Sequence, residues 1–359
     1  MVVKKKKKFD RVVAIDLGNG MVKIRSVDSK GKEYIVSLPC AWAYKKDVGE
    51  NLTGKEIKLE SFFIDDVEYV WGEDIPKLGS KIKVALGHDG RYKSEPYKIM
   101  AKIAMAKVVN DLDIQPTEKI YLVTGVPSQE TKTERENEIE LAFLGENGGI
   151  HEVDIVNDEG DHERLFRVAH VEVMSQPVAT VISRYLDEEG YVGDEEYAEL
   201  KVAVIDIGGG TTDLDIVDCL QRQGNYTSIH KGFSDVYKSI RKVIKEEYPS
   251  HDVTDYELLE YLKDNNTKYK PSKRAKEVDF SEAMDAGIRE VVVDIQQAIL
   301  TNWKDQTGFD EILLIGASAE KFDDKLSNVV TGLTIPENHD TSNVEGYFRW
   351  GMNQVGDED

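Results

Sequence analysis

Cysteine is nearly absent from this sequence. Only Cys40 and Cys219 occur in 359 residues, too few for a disulfide scaffold and in keeping with a reducing compartment. The seven histidines offer no zinc spacing, since "HEVDI" and "DHERLF" are not HExxH. "GASAE" lacks the last glycine of a nucleophile elbow, and "VNDEGDHER" lacks the register of a calcium loop. No apolar run approaches the length of a membrane span. The opening "MVVKKKKKFD" has the charge of a secretion signal but no apolar stretch behind it. Residues 1–8 read as a disordered Lys-rich tail, and the closing "GDED" as an acidic one. Cations are outnumbered as well: 46 Lys and Arg against 68 Asp and Glu give a net charge of −22. That balance argues against a phosphate backbone or an anionic membrane as a direct partner. The expected setting is cytoplasmic, with no membrane and no direct nucleic acid contact.

What is present is enough apolar material, 40% of residues, for real cores, in a chain long enough for two domains. It is also a sequence that says one thing twice. "RVVAIDLGNGMVKIRSVD" (11–28) and "KVAVIDIGGGTTDLDIVD" (201–218) align without a gap. Val12/Val202, Ile15/Ile205, Asp16/Asp206, Gly18/Gly208, Gly20/Gly210, Val27/Val217 and Asp28/Asp218 are identical. One supersecondary unit repeated so far apart predicts two related domains.

Between the copies, "EYIVSL" and "SFFIDDVEYVWG" read as strands. "EPYKIMAKIAMAKVVNDL" reads as a helix with Ile99, Ile103, Ala106 and Val109 on one side. "KIYLVTGVP" is a buried strand with a turn behind it. A charged helix follows, with Ser128 as its candidate start. "RLFRVAHVEVM" is a further strand, leading through "SQP" into "VATVISRYLDEE". After the second copy come strand "YTSIHKG", amphipathic helix "FSDVYKSIRKVIKEEY", helix "DYELLEYLKDNN" and the hydrophilic bridge "SKRAKEVD". A long helix (282–303), strand "EILLIG", the turn "GASAEKF" and the connector "TIPENHD" precede a short closing helix. Its Tyr347, Phe348, Trp350 and Met352 read as core. Alternating strands and helices make an α/β architecture.

Each copy of the repeat places an Asp at the end of an apolar strand, then a glycine turn, then a second strand. Glycines there let backbone N–H groups converge on an anion. A P-loop would need GK[ST] and a helix, and the dinucleotide fingerprint needs a third glycine; neither is here. Two such hairpins face to face would clamp a polyphosphate. Asp16 and Asp206 beside phosphate oxygens make sense with a cation, and Mg²⁺ suits carboxylates, water and phosphates together. Thr211 and Thr212 would add hydroxyl donors, and Lys23 a positive charge.

With these motifs the sequence resembles the superfamily of actin, heat-shock chaperone ATPases and sugar kinases. "IDLGNGMVK" resembles its first phosphate motif and "IDIGGGTTDL" its second. "SQPVATVISRYL" and "SNVEGYFRWG" look like the two connecting helices, and "LLIGASAEKF" sits at the adenosine motif. The resemblance implies a two-lobed fold of duplicated ribonuclease H-like domains with a nucleotide cleft between them. It assigns residues 9–175 plus 339–359 to one domain and 176–338 to the other. It further implies that Gly18, Asn19, Gly20 and Lys23 face Gly208, Gly209, Gly210, Thr211 and Thr212 across the phosphates of ATP or GTP. Asp16 and Asp206 would hold Mg²⁺ through water, Gln176 would orient the attacking water, and Asp206 would help activate it. Gly316, Ala317 and Ser318 would pass the nucleoside. The usual Gly-Gly pair is here Gly316-Ala317, which leaves ATP against GTP open. For the base, the segment to search is "LKDNNTKYK", with Lys263 and Lys268.

Among branches, a chaperone would need a long substrate-binding extension, a sugar kinase an acceptor base, and a cell-shape or division actin an amphipathic membrane segment. In "VTGVPS", "VMSQPVAT" and "SNVEGY" the chain looks like the plasmid-segregation actins, the ParM group. That implies a slow Mg²⁺-dependent nucleoside triphosphatase that assembles with itself into filaments. DNA would be reached through a small ParR-like adaptor on a centromere-like plasmid site. A monomeric ATPase or small-molecule kinase on the same fold, or a cell-shape or division actin, is the alternative.

Overall fold

The computed structural model describes residues 9–49, 57–84, 90–145, 148–157, 160–303 and 305–356; the Lys-rich 1–8 and most of "GDED" lie outside them. Two mixed sheets carry the chain. The first runs through β1 (Arg11–Leu17), β2 (Met21–Val27), β3 (Glu33–Pro39), β4 (Ala41–Tyr44), β5 (Glu60–Ile64), β6 (Val67–Trp71), β7 (Lys83–Val84), β8 (Lys119–Val126), β9 (Ile150–Asn157) and β10 (Gly160–Ser175). Their spatial order is β3-β2-β1-β8-β10-β9-β5-β6-β4-β7. β1 pairs antiparallel with β2 and parallel with β8. α1 (Glu95–Asp111) and α2 (Glu134–Leu144) complete this half.

α3 (Gln176–Tyr185) leads into the second sheet. It is built from β11 (Lys201–Ile207), β12 (Thr212–Asp218), β13 (Gln221–Arg222) and β14 (Thr227–Ile229), while β15 (Lys268–Tyr269) and β16 (Val278–Asp279) form a separate small ladder. β17 (Glu311–Ile315) and β18 (Leu333–Thr334) close the second sheet in the order β13-β12-β11-β17-β18, with β14 on β12. Its helices are α4 (Phe233–Glu247), α5 (Asp255–Lys263), α6 (Ser281–Asn302) and α7 (Ala319–Leu326); α8 (Ser342–Val355) ends the chain.

The repeated strands are apolar end to end because both faces are covered. Along β1, Val13, Ile15 and Leu17 enter the core shared with α1, while Val12 and Ala14 pack on Tyr347 and Phe348 of α8. Along β11, Ala203, Ile205 and Ile207 join the core under α4 and α6; Val202 and Val204 meet Val181 of α3. The period-two alternation of a strand thus splits each repeat between two layers. α3 and α8 pack against each other, Thr180 donating to Asn343 Oδ1 at 2.8 Å, so they join the two halves behind the cleft.

Some expectations need revision. α1 is buried on nearly every side, Met100, Ala104, Met105 and Val108 included, so it is an interior helix rather than a one-faced one. The charged helix does not start at Ser128: residues 128–130 make a 3₁₀ turn, and Thr133 caps α2 by accepting from the Arg135 N–H. "GASAEKF" is no mere turn, since α7 begins at Ala319. The "VATVISRYLDEE" helix begins at Gln176 and ends at Tyr185.

Ser128 instead ties the halves together. Its N–H donates to Asp213 Oδ1 and its hydroxyl to Asp215 Oδ2, both at 2.7 Å. Arg222 closes the network, bridging the fully buried Asp215 at 2.8 Å, the Ser128 carbonyl at 2.9 Å and the Thr131 hydroxyl at 2.9 Å.

Candidate functional site

The two copies of the repeat form the same hairpin. Gly18 N–H donates to the Met21 carbonyl at 3.1 Å, and Gly208 N–H to the Thr211 carbonyl at 2.9 Å. In the first, Asp16 lies across the ladder from Lys23; in the second, Asp206 lies across from Asp213. The turns meet tip to tip: a β-carbon placed on Gly209 would lie 3.5 Å from that of Asn19. Between them is a cavity of about 410 Å³. Every residue of the expected set lines it except Thr212, which is buried with its hydroxyl on the Lys231 carbonyl at 2.9 Å. The side-chain donor expected of Thr212 therefore goes to the backbone beside α4.

Three buried carboxylates border this space: Asp16, Asp206 and Asp213. Gln176, the first residue of α3, donates from Nε2 to Asp16 Oδ1 at 3.2 Å. Asn343, on α8, donates from Nδ2 to Asp206 Oδ2 at 2.8 Å. Burial pushes Asp206 up to about 6; the Asn343 bond works against that rise, while the charge of Asp16 adds to it. Asp213 goes to about 7, through burial first and then the charge of Asp206, against the bonds from Ser228 and Ser128. Among the described residues no three His, Cys, Asp or Glu side chains converge closely enough to hold a metal unaided. The donor set is therefore two or three carboxylates with room for water and phosphate oxygens, which fits Mg²⁺ and does not fit a closed zinc or calcium cage.

The surrounding backbone holds the turns in place. α4 docks end-on against the second turn: Phe233 N–H donates to the Gly208 carbonyl at 3.1 Å and Ser234 N–H to the Gly209 carbonyl at 2.8 Å. A β-carbon on Gly232 would sit 2.5 Å from the Gly208 oxygen, so the chain must be bare there. Gly316 has φ +108°, and a β-carbon on it would strike the Ile207 oxygen at 2.1 Å. Its N–H donates to the His339 carbonyl at 2.8 Å, so the polar "TIPENHD" connector is part of the site. Lys23 donates to the neighbouring Asp340 carbonyl.

From Phe233, one face of α4 lines the cavity through Ser234, Tyr237, Lys238 and Arg241. At 1.5 Å per residue that wall is about 12 Å long. Asp255, Tyr256 and Leu259 of α5 face it. Lys263 and Lys268 do not line the cavity; they pair with Glu260 and Glu277. This end of the cavity is thus walled by α4 and the start of α5, and no residue of "LKDNNTKYK" lines it.

Sequence reading missed Asp213, Asn343, Arg91 and Tyr256. Only Asp213 carried a signal, standing in the second copy where Lys23 stands in the first.

Comparison with known proteins bears on this geometry. The model of the actin-like protein N-terminal domain matches residues 14–178, and that of the archaeal actin homologue MreB-like C-terminal domain matches residues 204–328. The chain belongs to the actin-like proteins. No curated protein matches this actin-like chain in sequence. Among solved structures, apo psk41 ParM is similar at 20% identity and TM-score 0.68, over 97% of this chain and 99% of that one. A 15-stranded ParM filament from Clostridium botulinum is similar at 16% identity and TM-score 0.71, over 96% and 99%. An archaeal actin homologue in complex with ADP is similar at 19% identity and TM-score 0.66, over 94% and 97%. The two-lobed actin fold is shared by all three. Among the described residues no helix is long and apolar enough to cross a membrane.

Proposed function

We propose that this actin-like protein is a Mg²⁺-dependent nucleoside triphosphatase that assembles with itself into filaments and moves plasmid DNA through an adaptor. The observation that carries the reading is the pair of matched glycine hairpins closing on one cavity with Asp16, Asp206, Asp213 and Gln176 at its polar floor. Backbone N–H groups of residues 19–20 and 209–211 suit the phosphates. The wall formed by α4 and α5 is long enough for ribose and base, and either ATP or GTP is admitted by its mixed lining. Asp16 and Asp206 would hold Mg²⁺ through water, and the ion would neutralise charge on the phosphates. With Nε2 committed to Asp16, Gln176 keeps Oε1 to accept from a water. Asp206, near neutrality in its proton affinity, is suited to take part of that water's proton.

Residues 9–175 with 339–359 form the first domain in this reading, and 176–338 the second, with α8 returning to the first sheet. Support for self-assembly comes from the likeness to a ParM filament, and for the nucleotide from the archaeal homologue seen with ADP. A net charge of −22 suits a protein that leaves DNA to an adaptor, and makes assembly sensitive to salt and divalent cation. The test is right-angle light scattering with phosphate release after adding Mg²⁺-ATP or Mg²⁺-GTP to the protein and to Asp206→Ala. A scattering rise above a critical concentration, followed by phosphate and reduced in the variant, supports the reading and identifies the nucleotide. Steady hydrolysis without scattering replaces it with a monomeric ATPase or kinase.

A further inference from the structure

Two arginines are deeply buried among the described residues, and they are treated very differently. Arg25, 3% exposed, is surrounded by Glu33, Glu188 and Glu345. Arg91, 7% exposed, has no carboxylate among the described residues within ion-pair distance, in a chain with 68 of them. Its Nη2 donates to the Leu17 carbonyl. Its Nε is buried with no partner. Its guanidinium carbon lies 5.3 Å from the Tyr97 ring centre and 5.7 Å from that of Tyr92. The backbone beneath is fixed, because the Ser94 hydroxyl and N–H both donate to the Arg91 carbonyl, at 2.6 and 3.0 Å. A buried guanidinium with no carboxylate in contact, only the charge of Asp16 at longer range, is costly, yet this one lines the cleft.

Its place in the cleft says which anion would complete it. Through the Leu17 carbonyl Arg91 stands beside Asp16, the carboxylate to which Gln176 donates, and it lines the same cavity as both. A nucleotide whose last phosphate faces the water held by Gln176 presents that phosphate to Arg91.

We propose that Arg91 is the counter-ion of the terminal phosphate, the residue by which the cleft tells a nucleoside triphosphate from a diphosphate. The inference rests on the nucleotide reading above. A guanidinium fork matches phosphate oxygens, and its cost of burial is repaid only when the third phosphate is there. The α- and β-phosphates, opposite residues 18–20 and 208–211, do not need it.

The test is equilibrium binding of ADP and of a non-hydrolysable triphosphate, each with Mg²⁺, to the full chain, Arg91→Gln and Arg91→Lys, with thermal melting to confirm folding. Arg91→Gln is expected to lose about ten- to hundredfold in triphosphate affinity, the range for a hydrogen bond to a charged group, and to hold ADP within about threefold. Arg91→Lys, which keeps charge but not the fork, is expected to fall between. An equal loss for both nucleotides, or an unchanged ratio, assigns Arg91 to supporting Leu17 and overturns the inference. Should Arg91→Gln not fold, the ratio in Arg91→Lys decides by the same criterion. If the unmodified protein binds neither nucleotide, the functional reading itself fails, a result distinct from a changed ratio.

Discussion

Asp213 lies directly across the ladder from Asp206, at the position that Lys23 occupies opposite Asp16. The same backbone unit thus sets acid against base in one half and acid against acid in the other. Both acids of the second pair have raised proton affinity, to about 6 and about 7. The folded state consequently binds more protons than the unfolded chain, whose aspartates titrate near 4. The stability from these protons is full below about pH 4 and is lost as pH rises through about 6 to 7. The Tm of the nucleotide-free protein should fall across that window. Asp213→Asn should flatten most of the slope, and a slope equal to that of the unmodified protein would refute the assignment.

Asn343 donates to the carboxylate of Asp206 and favours its charged form. Asn343→Leu removes that donor, so Asp206 should titrate higher by about 1–2 units, the worth of one hydrogen bond to a charged group. Carboxyl ¹³C titration should record the shift, and Mg²⁺-nucleotide binding should move towards higher pH by the same amount.

Arg222 is the only ion-pair partner of the fully buried Asp215 among the described residues. Arg222→Ala leaves that charge unpaired and should cost about 3–5 kcal/mol in denaturant unfolding. The double variant Arg222→Met with Asp215→Leu should recover much of the loss. Equal damage from both would show that the bonds to Ser128 and Thr131, not the charge pair, matter.

Gly316→Ala meets both a forbidden backbone angle and the Ile207 oxygen. It should cost about 3 kcal/mol or more and weaken nucleotide binding with it. Ala317 is exposed, so Ala317→Gly should keep stability within about 1 kcal/mol and act, if at all, on the choice between ATP and GTP.

The hairpins and their cavity were legible because the repeat encodes them locally, in an apolar run, an Asp and a glycine turn. The amphipathic α4, expected over 233–248 and found over Phe233–Glu247, was legible for the same reason. The partners of those hairpins were not. Asn343 reaches Asp206 from the far end of the chain, and Arg91 reaches Leu17 from a polar stretch with no motif. Lys263 and Lys268 suggested a base site by charge alone, and surface glutamates had already claimed them. What a side chain points at depends on long-range packing, and spacing along the sequence does not record it.

The turns of the two repeats come within van der Waals reach at Gly209 and Asn19, with a sheet rigidly behind each. Their separation is then a gauge: whatever is held between the jaws fixes the angle between two bodies tens of residues across. On the proposed nucleotide reading, a change of one phosphate, about the size of a single side chain, would be magnified by the length of those levers. Bare glycine at the tip leaves a gap that a methyl group on Gly209 would just fill, at 3.5 Å from the β-carbon of Asn19.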